Sequence, residues 1–131
     1  VGCDFLLLAL PLNEDTAGIV DRKTLRALGP KGYLVNVARG GLVVREDLEA
    51  ALDAGEIAGA GLDVFWVEPP DPNDPLLRRA NVVATPHIGG VTDEALSGVA
   101  NFVRENIERF ARGETPLSKV LPPAGQAETR P

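Results

Sequence analysis

Four short apolar runs, separated by turns and by stretches of helical spacing, constrain this chain more than any other feature. They are Phe5 to Leu10, Tyr33 to Val37, Ala58 to Phe65 and Asn81 to Ala84. Each is too short for a buried helix and more continuous than alternating, which is the pattern of strands inside a parallel sheet. Between the first two, Asp21 is placed to cap a short helix through Leu28, and Gly29-Pro30-Lys31-Gly32 stops it. Arg45 to Ala54 has helical spacing at Leu48, Ala51 and Leu52, with Gly55 as its stop. Glu68 to Pro75, dense in Pro and Asp, reads as a loop, and Leu76 to Arg79 as one helical turn. Thr92 to Arg112 is the longest helix, with Thr92 as N-cap and Gly113 at its end. Its Leu96, Val99, Val103, Ile107 and Phe110 describe a stripe expected to be core. Residues 114–131 carry too little apolar surface to fold and read as a disordered tail.

Alternating strands and helices predict an α/β fold: a partial doubly wound parallel sheet with right-handed crossovers, occupying residues 1–113. Half a sheet leaves one edge and much apolar surface uncovered. The chain opens without Met, in the middle of an apolar run, and so reads as a fragment of a longer protein. Its 131 residues and 44% hydrophobic content suit one domain with a real core. No apolar run approaches the roughly 20 residues of a membrane span, and the first residues carry no basic segment of a secretory signal. The lone Cys3 forms no internal disulfide, which suits the cytoplasm. A net charge of −6 without a basic stripe speaks against nucleic acid. One His and one Cys give no metal-ligand spacing, and neither Ser97 nor Ser118 sits on a nucleophile elbow.

What remains is a set of residues just beyond the apolar runs, where a parallel sheet gathers its carboxyl ends along one rim. His87, between Pro86 and Ile88-Gly89-Gly90, combines a ring that titrates near neutrality with a backbone both stiffened and stripped of side chains. An exposed turn histidine is the plain alternative. Glu68, ahead of Pro69 and Pro70, is a carboxylate able to orient such a ring, or a solvated loop acid. Arg39, ahead of Gly40-Gly41, offers a planar fork for a substrate carboxylate, or caps surface carbonyls. Asp63, amid apolar neighbours, needs a donor, either a ligand amide or a backbone N–H. Pro11 and Thr16 flank the loop after the first run, where a cofactor has room to cross the sheet edge; an ordinary turn explains them as well. Phe65 and Trp66 read as packing.

The ordered motifs resemble the D-isomer-specific 2-hydroxyacid dehydrogenases, the group that includes glyoxylate/hydroxypyruvate reductases and phosphoglycerate dehydrogenase. The similarity runs from Asp4 to Gly113 and rests on four segments. They are Leu10-Pro11-Leu12 with Thr16, Asn36 to Gly41, Leu62 to Phe65 with Glu68-Pro69, and Thr85 to Gly90. The resemblance implies the C-terminal half of a Rossmann-type domain binding NAD or NADP, in an enzyme that interconverts a 2-hydroxy acid and a 2-oxo acid. It further implies that Arg39 binds the substrate's carboxylate and carbonyl, that His87 donates the proton with Glu68 as partner, and that Asp63 holds the nicotinamide carboxamide. Pro11, Thr16 and the backbones of Val37, Ala38, Arg39, His87, Gly89 and Gly90 would line the cofactor, and the intact protein would be a homodimer. The G-x-G-x-x-G loop and the separate substrate domain of the family are not in these residues, and Ala9 stands where many members carry histidine. Two rival readings stay open: a dehydrogenase-like binding or corepressor-type module, and an inactive truncated fragment.

Overall fold

In the computed structural model, which describes residues 2–119, four parallel strands pair in sequence order. They are β1 (Phe5–Leu8), β2 (Tyr33–Asn36), β3 (Gly59–Leu62) and β4 (Val82–Ala84). The helices are α1 (Arg22–Leu28), α2 (Arg45–Asp53) and α3 (Asp93–Ala111), with 3-10 turns at Gly40–Leu42 and Pro75–Arg78. The chain divides after Gly90 into two units.

Register is the feature that builds the site. Leu8 pairs with Asn36, Asn36 with Leu62, and Leu62 with Ala84, so all four strands end side by side. Adjacent strands lie about 4.8 Å apart, so the loops leaving these ends emerge within reach of one another.

Alternation of side chains across the strands divides the first unit into two faces. Leu8, Leu34, Ala60, Leu62 and Val82 face inward, against Leu25 of α1, Leu48, Ala51 and Leu52 of α2, and Ile57 and Leu76. Leu25, Leu34 and Leu48 are fully buried, each worth about 1.5–3 kcal/mol of transfer free energy. The helix starts follow their residues: Asp21 Oδ1 accepts Thr24 N–H at 2.8 Å and Thr24 Oγ1–H at 2.9 Å. The opposite face is bare. Phe5, Leu7 and Val83 are 65%, 59% and 70% exposed, and the Phe5 and Tyr33 rings stack at 5.5 Å. Phe5 to Leu10 is therefore not the wholly buried strand its composition predicts, because no described layer of this unit covers that side.

Pairing also ends earlier than the apolar runs. β1 stops at Leu8 and β3 at Leu62, where Asp63 N–H still reaches Asn36 O at 2.9 Å before the chain turns away. Pro75 opens the expected helical turn, which is 3-10, with Asp74 accepting Leu76 N–H at 3.0 Å.

The second unit is α3 and its return. Thr92 Oγ1 accepts Ala95 N–H at 3.1 Å, the expected cap, and Gly113 takes φ +74° past the end. No residue of α3 is buried, and Val99, Ile107 and Phe110 are 63%, 63% and 75% exposed. The stripe expected to be core is thus an exposed apolar face, since a single helix offers its own stripe no second layer. Residues 114–119 return along its last turns through Leu117 N–H to Asn106 Oδ1 at 2.7 Å and Arg109 Nε–H to Thr115 O at 2.8 Å. The remainder of the expected disordered tail, 120–131, lies outside the described residues. Among the described residues no helix is long and apolar enough to cross a membrane.

Candidate active site

The rim loops place the candidate residues in two sets: Pro11 with Val37, Ala38 and Arg39 along one crevice, and Asp63, Glu68, His87 and Gly89 in a hydrogen-bonded group. After β2, buried Asn36 turns its amide into the following turn. Its Nδ2–H donates to Arg39 O at 2.9 Å and its Oδ1 accepts Ala38 N–H at 3.1 Å. Val37, Ala38 and Arg39 are thereby fixed beside Ala9 to Leu12, and the two segments line a crevice of about 620 Å³. That lies within the range of about 300–1,000 Å³ usual for small-ligand sites. Arg39 is exposed, its Nη1–H donating to Ala38 O at 2.6 Å, and no carboxylate pairs with it among the described residues. Its remaining donors are free for an anion.

Pro11 and Thr16 meet across their loop, Thr16 Oγ1–H donating to Pro11 O at 2.7 Å. Pro11 lines the crevice; the Thr16 hydroxyl braces the loop behind it.

After β3, Asp63 is 5% exposed and saturates the turn that follows β4. Its Oδ1 accepts Thr85 Oγ1–H at 2.6 Å and Ile88 N–H at 2.9 Å, and its Oδ2 accepts Gly89 N–H at 2.8 Å. Chiefly the Thr85 hydroxyl, then the two amides, hold this carboxyl below its ordinary range despite burial. The donors stand on both sides of His87, whose φ of +55° lies in the left-handed region. That conformation costs a non-glycine residue about 1–3 kcal/mol, so the Asp63 bonds hold it in place. At Gly89 a Cβ would stand 2.8 Å from Asp63 Oδ2, which explains the missing side chain.

His87 Nδ1 lies 2.8 Å from Glu68 Oε2. An ionised carboxylate only accepts, so Nδ1–H donates, and Nε2 has no hydrogen-bond partner among the described residues, on a side chain that is 42% exposed. Glu68 Oε1 accepts Phe65 N–H at 3.0 Å. The His87 bond first, then Phe65 N–H and, more weakly, the Arg39 charge, hold the Glu68 carboxyl below its ordinary range. Glu68 is thus within electrostatic reach of both His87 and Arg39.

Three contributors escaped the residue-by-residue reading. Asn36 and Thr85 lie inside the motifs, but their roles depend on partners in three dimensions. A signal existed for Asn36: an amide inside an apolar strand has to find donors and acceptors. Trp66, read as packing, donates Nε1–H to Val43 O at 2.7 Å.

Comparisons with known proteins place the chain in a family. Residues 2–89 match the family model described as D-isomer specific 2-hydroxyacid dehydrogenase, NAD binding domain. A glyoxylate reductase of Pyrococcus furiosus is 46% identical over 89% of this chain and 34% of its own length. One of Korarchaeum cryptofilum is 43% identical over 94% of this chain and 39% of its own. Among solved structures, an NADPH-dependent glyoxylate/hydroxypyruvate reductase of Sinorhizobium meliloti, in complex with NADP and malonate, superposes with a TM-score of 0.81. It is 38% identical and covers 89% of this chain and 36% of that one. A D-isomer specific 2-hydroxyacid dehydrogenase of Lactobacillus delbrueckii, in its NAD complexed form, also gives 0.81 at 32% identity, over 89% of this chain and 40% of that one. The chain thus spans between a third and two-fifths of these relatives. It belongs to the D-isomer specific 2-hydroxyacid dehydrogenase family, as part of its NAD-binding domain.

Proposed function

We propose that this chain is the catalytic half of the cofactor domain of an NAD- or NADP-dependent oxidoreductase that interconverts a small 2-hydroxy acid and its 2-oxo acid. The observation that carries the reading is the His87–Glu68 bond at 2.8 Å beside an arginine without a carboxylate partner among the described residues. The names of its relatives support the substrate class, with glyoxylate and hydroxypyruvate the acids they print.

The residues fit the nicotinamide end of a dinucleotide. The crevice at the ends of β1 and β2 presents Pro11 and the Val37–Arg39 backbone. Asp63 has three of about four acceptor positions filled and keeps one for a carboxamide donor. At Gly90 no neighbouring atom lies within 4 Å of where a side chain would stand, so the main chain there is open, and Thr16 holds the Pro11 loop in shape. Held there, a reduced nicotinamide would supply the hydride that the 2-oxo carbon takes up.

Everything else falls to side chains of this chain. Arg39 grips the substrate carboxylate and carbonyl through its planar fork, turning the carbonyl oxygen toward the rim. His87, protonated on both nitrogens, gives its Nε2 proton to that oxygen as the carbon–hydrogen bond forms. Glu68 keeps the ring oriented through Nδ1 and stabilises its charged form. In the oxidative direction His87 Nε2 takes the hydroxyl proton back.

Two further parts complete the proposal: pairing of two copies through their cofactor domains, which rests on the family resemblance, and a cytoplasmic location, which an exposed unpaired Cys3 suits. Sedimentation of the protein carrying these residues should give a dimer; a monomer at every concentration contradicts the first. Cell fractionation recovering it outside the cytoplasm contradicts the second. The function itself is tested by mixing that protein with NADH or NADPH and glyoxylate or hydroxypyruvate. Cofactor oxidation that depends on the acid is expected; a folded dinucleotide-binding protein inert toward 2-oxo acids is the corepressor-type outcome and overturns the reading.

A further inference from the structure

Glu68 sits within a loop tied down on both sides. Ahead of it, the Phe65–Trp66 backbone lies directly on Gly40, where a Cβ would collide with it. The Trp66 indole N–H reaches Val43 O at 2.7 Å, just past the 3-10 turn that follows Arg39. Behind it, Asp74 receives Arg45 Nη2–H at 2.8 Å on each oxygen and caps Leu76, itself buried in the core. Arg45 joins the two ends. Its guanidinium lies over the Trp66 ring, 5.4 Å from the centroid, while its Nε–H donates to Glu49 at 2.8 Å.

We propose that Trp66 and Arg45 form a positioning clamp that holds the Glu68 loop against the turn carrying Arg39, so that Glu68 meets His87. The inference rests on the reading of Glu68 and His87 as the acid/base pair. A tryptophan that only fills space needs neither a 2.7 Å acceptor nor a cation on its face; this one has both, and both partners belong to the Arg39 side of the site. The Phe65 amide, which donates to Glu68 Oε1 at 3.0 Å, is the expected reporter of the clamp.

The test is made in the protein that carries these residues, at Trp66 and Arg45. Trp66→Phe keeps an aromatic ring and removes the indole donor. In that variant, folded by circular dichroism, the Glu68 carboxyl followed by NMR should titrate higher, toward the ordinary carboxylate range. Exchange of the Phe65 amide should quicken by about tenfold or more. Arg45→Lys, which keeps the charge and loses the fork, should move both readouts the same way. Unchanged titration and exchange in either folded variant overturn the clamp. So does a Phe65 amide unprotected in the wild type, a measurement that needs no variant. In the protein carrying this chain, Trp66→Phe should lower kcat about ten- to a hundredfold with KM for the 2-oxo acid little changed. An inert wild type would instead defeat the functional reading and leave the NMR result standing.

Discussion

Gly89 N–H donates to Asp63 Oδ2 at 2.8 Å, and the place a Gly89 side chain would occupy is 2.8 Å from that same oxygen. The close approach lets one buried carboxylate hold amides on the far side of His87 while Thr85 holds the near side. Gly89→Ala should therefore push the carboxylate away and release the turn. The expected cost is about 1–3 kcal/mol by denaturant unfolding, together with displaced His87 ring signals by NMR. Wild-type stability with unmoved ring signals contradicts the role given to Asp63.

Asn36 offers a second lever, on the substrate side. Its amide satisfies both Ala38 N–H and Arg39 O from a buried position. Asn36→Ala should cost about 1–3 kcal/mol in stability, because it strands buried polar groups. The freed turn should also raise KM for the 2-oxo acid more than it lowers kcat, if Arg39 anchors the carboxylate as proposed. A fall confined to kcat would place Asn36 elsewhere in the reaction.

Away from the site, Glu56 ties α1 to the segment after α2. Its Oε2 accepts Arg22 Nε–H at 2.9 Å and its Oε1 accepts Arg26 Nε–H at 3.0 Å. The Arg22 bond above all lowers the Glu56 carboxyl from 4.5 to about 2. A carboxyl lowered by folding adds stability above its unfolded value, and that contribution fades as pH falls toward the folded one. The melting-temperature gap between wild type and Glu56→Gln should be full above pH 4.5 and close as pH falls toward 2. A gap that persists or widens on acidification contradicts the assignment.

How far the residues announced this structure depends on what kind of information each feature needs. The four strands and their parallel order were readable because continuous apolar runs separated by helical spacing leave few alternatives. Their ends were not: Ala9 and Leu10 are as strand-like as Leu7 and Leu8, and only pairing shows that β1 stops. His87 and Glu68 were readable as candidates from the residue types at predicted strand ends. Their 2.8 Å contact joins positions 19 residues apart and needs three dimensions. The same holds for Trp66, whose acceptor lies 23 residues away. The α3 stripe taught the converse: a three-to-four spacing shows that a helix has an apolar side, and says nothing of what covers it.

Reduction of a 2-oxo acid, as proposed, depends on His87 giving the proton. The most direct test is steady-state reduction of glyoxylate by the protein carrying this chain, with His87→Ala beside the wild type and NAD(P)H binding measured in parallel. Turnover should fall by about 100- to 10,000-fold while cofactor affinity stays within a few-fold of wild type. Turnover equal to wild type in the folded variant would contradict the account.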